Sequence, residues 1–189
     1  MPNFSEDRQT ILRQLQDAEL AATKLIRGYS RQQLNWQPDD GRSWSVCQCL
    51  DHLARTNQIY SQAMLQAVAQ KSANATGTTA AAPGWFGRWF IGQMEPRSRS
   101  RFKAAKTVMP GADGDPEDIL QSFVDSHSEL RRVLDSWEKV DFNRIRFRSP
   151  FAPVLRFTVA TGIMIINAHD RRHLEQARRS TQSKNFPDA

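Results

Sequence analysis

Ile163-Met164-Ile165-Ile166 is apolar around the whole circumference of a helix, and it leads without a break into Asn167-Ala168-His169-Asp170-Arg171-Arg172-His173-Leu174-Glu175-Gln176. A helix that is apolar all round has to be enclosed by other elements, so this segment predicts the central helix of a helical domain. At 3.6 residues per turn, Thr158, Gly162, Ile165, Ile166, His169, His173 and Gln176 share one face. Gly162 in that helix either leaves room for a ligand above the histidines or allows close helix packing. The chain has four histidines, and two of them stand here one turn apart. Imidazoles at i and i+4 are surface neighbours that can converge on one ion through bonds of roughly 2.0–2.1 Å.

Three further helices are predicted. The first covers residues 5–28, with Ser5 as N-cap and Ile11, Leu12, Leu15, Ala18, Ala22, Leu25 and Ile26 as its apolar stripe. A polar connection over residues 30–42 follows. The second helix opens at Ser45, whose spacing to Gln48 is that of a capping box, with Trp44 folding back over its first turn. The third begins at Asp115-Pro116-Glu117-Asp118, a cap followed by proline at the first helical position. The fourth, central helix starts near residues 154–158, after the connection holding Pro150-Phe151-Ala152-Pro153. The fold class is therefore all-α, a four-helix bundle in one domain over residues 1–189.

Two ligands seldom hold an ion firmly, so a third must come from another helix. His52, at the edge of the second helix's buried face, is the first candidate, and His127 is the second. His127 falls on the apolar stripe of the third helix, between Phe123 and Leu130. It is read there as a core histidine, with a supporting partner of the site or an extra ligand as the alternative. Three neutral nitrogens leave one coordination position open, as in catalytic rather than structural zinc sites. Gln176 shares the ligand face and is a candidate to orient a ligand or a bound water. Asp51, Asp170 and Glu175 adjoin the histidines in sequence but point to other faces, so no general base stands out.

Residues 71–114 separate the second and third helices. Between Lys71 and Pro83 the chain is Ser, Ala, Asn, Thr and Gly without periodicity, and residues 71–83 read as a loop. Trp85, Phe86, Trp89 and Phe90 come next, in a segment that packs on the bundle, caps a cleft or joins two subunits. Such a long connection inside a compact domain is often functional when ordered.

Trp44-Ser45 leading into Asp51-His52-Leu53, Pro150-Phe151 before the last helix, and His169-Asp170-Arg171-Arg172-His173-Leu174-Glu175-Gln176 together resemble the DinB-like superfamily of metal-binding four-helix bundles. The order and spacing match over nearly the whole chain. The resemblance implies that His52, His169 and His173 bind a divalent metal, usually zinc or nickel. It implies a helix order other than simple up-down-up-down, which the long second connection suits as a crossover. It also implies thiol-dependent enzymes among the relatives, in which the metal activates a low-molecular-weight thiol such as bacillithiol, mycothiol or glutathione.

A metal-dependent thiol S-transferase is thus the first functional expectation. A metal-dependent hydrolase is the second, and a non-enzymatic dimeric stress-response or binding protein the third. Arg171 and Arg172 either attract an acidic thiol or balance the C-terminus of the last helix. A small-molecule substrate and a homodimer are expected.

Net charge is +6. The cations form separate groups, Arg97 to Lys106, Arg144 to Arg148, and Arg171 to Arg179, without a recognition motif, so nucleic acid is not expected as a partner. No apolar run is long enough to span a membrane, and residues 1–7 lack the pattern of a signal peptide, so a cytoplasmic protein is expected. Cys47 and Cys49 lie on different sides of a helix and are expected as buried thiols.

Overall fold

The described residues form six α-helices and one short β-ribbon: α1 (Arg8–Arg27), α2 (Arg31–Asn35), α3 (Val46–Ala69), α4 (Trp85–Met94), α5 (Pro116–Leu134), β1 (Arg146–Arg148), β2 (Arg156–Thr158) and α6 (Val159–Ser180). They are seen in a computed structural model that describes residues 5–70, 77–100 and 102–188. The four helices expected from the sequence are α1, α3, α5 and α6. The first six residues of the expected loop, 71–76, and Arg101 of the first basic group lie outside the described residues.

Side-chain caps start the main helices. Ser45 accepts from the Gln48 backbone N–H while the Gln48 side chain accepts from the Ser45 N–H, both at 3.1 Å, which satisfies two otherwise orphaned donors. Asp115 caps α5 and Thr158 caps α6. The first helix starts later than expected. Its cap is Asp7, which accepts from Thr10 N–H at 2.7 Å, because Glu6 is held in a β-bridge with Ala81. Within the polar connection after α1, Ser30 and Gln33 form a second capping box that nucleates the five-residue α2.

Helix directions follow from the contacts between them. Arg8 reaches Leu134, Glu19 reaches His127 and Arg31 reaches Asp115, so α1 and α5 are antiparallel. Trp44 meets Ser180 and Asn57 meets Asp170, so α3 and α6 are antiparallel. Gln14 bonds Asn167 and Tyr29 packs on Phe186, so α1 and α6 run the same way. The order is up-down-down-up, and the chain between α3 and α5 is the crossover that two neighbouring helices of one direction require. Leu15, Leu50, Leu53, Phe123, Leu130 and Ile163 are fully buried between the four helices. Each such side chain contributes about 1.5–3 kcal/mol of burial free energy.

The described residues of the crossover pack against the bundle. Residues of its aromatic segment form α4, which has no side-chain cap at Gly84 and is held by packing instead. Phe86 stacks on Phe157 at 6.0 Å and Phe90 lies 4.9 Å from the same ring, while Trp85 and Trp89 stay exposed. Phe157 pairs with Phe147 across the antiparallel ribbon β1–β2, and both rings turn inward. Gly162 is a packing glycine, since a Cβ there would lie 2.6 Å from Met64 Sδ and 2.7 Å from Phe147 Cζ. Cys47 and Cys49 are buried free thiols. Among the described residues, no helix is long and apolar enough to cross a membrane.

Candidate metal centre

His52 stands in the second turn of α3, His169 stands at the middle of α6, and His173 follows one turn later. Because α3 and α6 are antiparallel, the early part of one lies beside the late part of the other, and the three imidazoles meet. One ligand-capable atom from each can be chosen so that all lie within 4.8 Å of one another. His169 and His173 approach with ring centroids 4.5 Å apart, and His52 lies 5.1 and 4.8 Å from them. Trp44 covers the cluster, 4.8 Å from His52 and stacked on His173 at 5.6 Å.

The protein fixes one ring through the crossover. The His52 Nδ1–H donates to the Val108 carbonyl at 2.8 Å, which leaves the Nε2 lone pair for the centre of the cluster. Asp51 accepts from the Gly111 N–H at 2.9 Å, and Gln48 donates to the Gly111 carbonyl at 3.2 Å, so the segment carrying Val108 is pinned to α3. On the other flank, Arg172 donates to the carbonyls of Gln93, Glu95 and Ser100, and Arg171 forms an ion pair with Glu95. These arginines are neither free to attract a thiol nor exposed balances for a helix end. They are half-buried struts that hold the chain after α4 against α6.

All three rings are held in the neutral form that binds metal. Burial pushes the His52 pKa down, with Val108 and Asp51 opposing it. Burial, then the neighbouring His173, His52 and Arg172, hold His169 well below the ordinary value. His173 is pushed down to about 3 by burial, His52 and Arg172, and Gln176 resists part of that shift from one turn away. Nδ1 of His169 and Nδ1 of His173 are buried without a hydrogen-bond partner. Neutral imidazoles with unpartnered buried nitrogens fit a divalent cation, which would satisfy lone pairs that the protein leaves unmet.

No carboxylate among the described residues joins this cluster. Asp51 is bound to Arg55 at 2.8 Å, and Glu175 to Arg178 at 2.8 Å. Asp170 points away into the core. It accepts from Asn57 at 2.8 Å and meets His127 Nε2 at 3.0 Å, while His127 Nδ1 meets Glu19 at 3.0 Å. Both nitrogens of His127 are thereby engaged by carboxylates rather than by the other histidines. Burial opposes a charge on His127, but Asp170 and Glu19 outweigh it and push its pKa up to about 9. The sequence signalled neither this network nor the Val108 carbonyl. Four separate helices build the first, and a backbone group carries no residue signature.

The fold that carries this histidine cluster has a solved counterpart. The chain is similar to a structure described as YfiT from Bacillus subtilis, a probable metal-dependent hydrolase with an unusual four-helix bundle topology. Identity is 17%, the TM-score is 0.58, and the alignment covers 99% of this chain and 94% of that one. At that identity the likeness establishes the fold. No curated protein matches the chain. The DinB superfamily profile matches residues 12–177, a span that runs from the first turns of α1 to the end of α6 and contains all three clustered histidines. The chain belongs to the DinB superfamily.

Proposed function

We propose that this protein is a metal-dependent enzyme whose cation, zinc or nickel, is held by His52, His169 and His173. The observation that carries the reading is the convergence of three neutral imidazoles from two antiparallel helices, two of them with unpartnered buried nitrogens. Three protein nitrogens leave a coordination position for a small molecule. A divalent ion in such a site supplies Lewis acidity and lowers the pKa of a water or thiol that reaches it. The chain's own residues do the rest. His52 is oriented by Val108, Trp44 covers the rings with an apolar surface, and Arg171 and Arg172 brace the crossover that walls the site.

Every nearby carboxylate is committed elsewhere, which favours chemistry whose nucleophile is prepared by the cation rather than by a side-chain base. Hydrolysis fits this, and the structural likeness to YfiT supports it. Transfer of a low-molecular-weight thiol fits it as well, since a thiol needs no further base once its proton is lost. The reading extends to a small-molecule substrate and a cytoplasmic homodimer, with exposed Trp85 and Trp89 of α4 as the candidate contact.

The test is turnover of an activated ester and of an aryl halide by the zinc- or nickel-loaded protein, with and without glutathione or a related thiol. Turnover without thiol identifies the hydrolase, and turnover only with thiol identifies the transferase. In either case activity falls to background in His52→Ala and His173→Ala. Inactivity with every metal and thiol, or activity unchanged in those variants, contradicts the reading.

A further inference from the structure

A concavity of about 880 Å³ lies between α1 and α6. At about 100° per residue, its α6 residues Arg171, Leu174 and Arg178 occupy the side of that helix opposite His169 and His173, and no histidine lines it. The volume is that of a site for a drug-sized molecule. Its walls include the apolar Ala18, Ala21, Leu25, Tyr29 and Leu174. Five cations, Lys24, Arg97, Arg171, Arg178 and Arg179, border it against two anions, Asp17 and Glu175.

Those charges are not equivalent. Arg178 closes on Glu175 through two bonds of 2.8 Å, Arg179 lies 3.9 Å from the same carboxylate, and Arg171 is taken by Glu95. Lys24 and Arg97 have no carboxylate within ion-pair distance among the described residues. A buried acceptor adds an independent sign of a ligand. Asn167 borders the cavity, is 3% exposed, and gives its Nδ2–H to Gln14 at 2.7 Å, while its Oδ1 is buried without a partner. Leaving such a group unsatisfied costs about 1–3 kcal/mol.

We propose that this groove binds a small amphiphilic anion: an apolar aromatic or acyl body on the α1 and α6 side chains, an acidic group drawn to Lys24 and Arg97, and a hydrogen-bond donor for Asn167. The site is independent of the histidine cluster, so its test does not depend on the proposed reaction.

The probe is 8-anilinonaphthalene-1-sulfonate, which carries an apolar body, an acidic group and an N–H donor, titrated by fluorescence against the full-length protein. Its uncharged relative N-phenyl-1-naphthylamine keeps the apolar body and the N–H donor and lacks the acidic group. The expected result is saturable binding of the anion with near-unit stoichiometry, at least about tenfold tighter than the neutral probe. Lys24→Glu combined with Arg97→Glu weakens the anion by about tenfold and leaves the neutral probe unchanged. Ala21→Trp fills the groove and abolishes both. Circular dichroism melting identifies folded variants, and the two sites at residues 24 and 97 provide a test that does not rely on filling the groove. Equal binding of the two probes, or anion binding indifferent to charge reversal in folded protein, overturns the proposal. It is also overturned if the protein sediments as a dimer that Ala21→Trp dissociates, because the groove would then be covered by a second copy.

Discussion

His52 Nδ1 and the Val108 carbonyl are 2.8 Å apart, although 56 residues separate them in sequence. This bond joins the candidate metal centre to the crossover, because the ring from α3 is aimed by a backbone group of the segment around Val108. Partners that orient metal-binding histidines typically matter by 10–100-fold in affinity. Asp51 holds the same segment through Gly111. Asp51→Ala is therefore expected to weaken zinc binding by roughly tenfold while the melting temperature moves little. Competition with a chromophoric chelator measures the first and thermal denaturation the second. Unchanged zinc affinity in folded Asp51→Ala would separate the crossover from the centre.

His127 is expected to carry a large share of stability and a distinct pH dependence. Its ring is fully buried between Asp170 and Glu19, so His127→Ala leaves a buried carboxylate without its cation and costs about 3–5 kcal/mol. The folded pKa is raised from 6.5 to about 9, so the stabilisation is fully present below pH 6.5 and is lost as pH rises through 9. The raised pKa corresponds to about 3 kcal/mol over that interval. Glu19 behaves oppositely. Burial would raise its pKa, but His127 and Arg131 lower it, so its contribution is present above the usual carboxylate value and fades as pH falls through the depressed one. Urea titrations at pH 6 and pH 9 should show the loss in the native chain and a much smaller difference in His127→Ala.

Gly162→Ala tests whether this glycine serves packing or ligand space. Alanine is the better helix former by about 1 kcal/mol. Here its methyl would fall 2.6 Å from Met64 Sδ and 2.7 Å from Phe147, and overpacking of that kind costs about 1–3 kcal/mol. A net loss in chemical denaturation, with metal affinity unchanged, is expected. A gain in stability would show that Met64 and Phe147 yield more readily than the close approach implies.

The parts of this protein that were legible in its sequence are those encoded locally. Ser45 with Gln48, and Asp115 with Pro116, announce helix starts, and the spacing of His169 and His173 puts both on one face of α6. The rest depends on distant partners. Asp7 replaces Ser5 as the cap of α1 because Ala81 captures Glu6 in a bridge. Helix α4 carries no capping side chain, and its order comes from Phe157 on the ribbon. Arg171 and Arg172 look like solvated charge in sequence because Glu95 and the carbonyls that bind them lie more than 70 residues away. Asp170 faces away from the ligands as helical geometry requires, but its burial against His127 appears only when α5 is in place.

Metal stoichiometry tests the central claim most directly. Protein prepared without a histidine tag, loaded with zinc or nickel and freed of excess ion, should retain about one equivalent by elemental analysis, as one three-histidine site requires. His173→Ala should lose that equivalent while its helical circular dichroism is retained. A chain that retains neither metal, or a folded His173→Ala that keeps the full equivalent, would contradict a centre built from His52, His169 and His173.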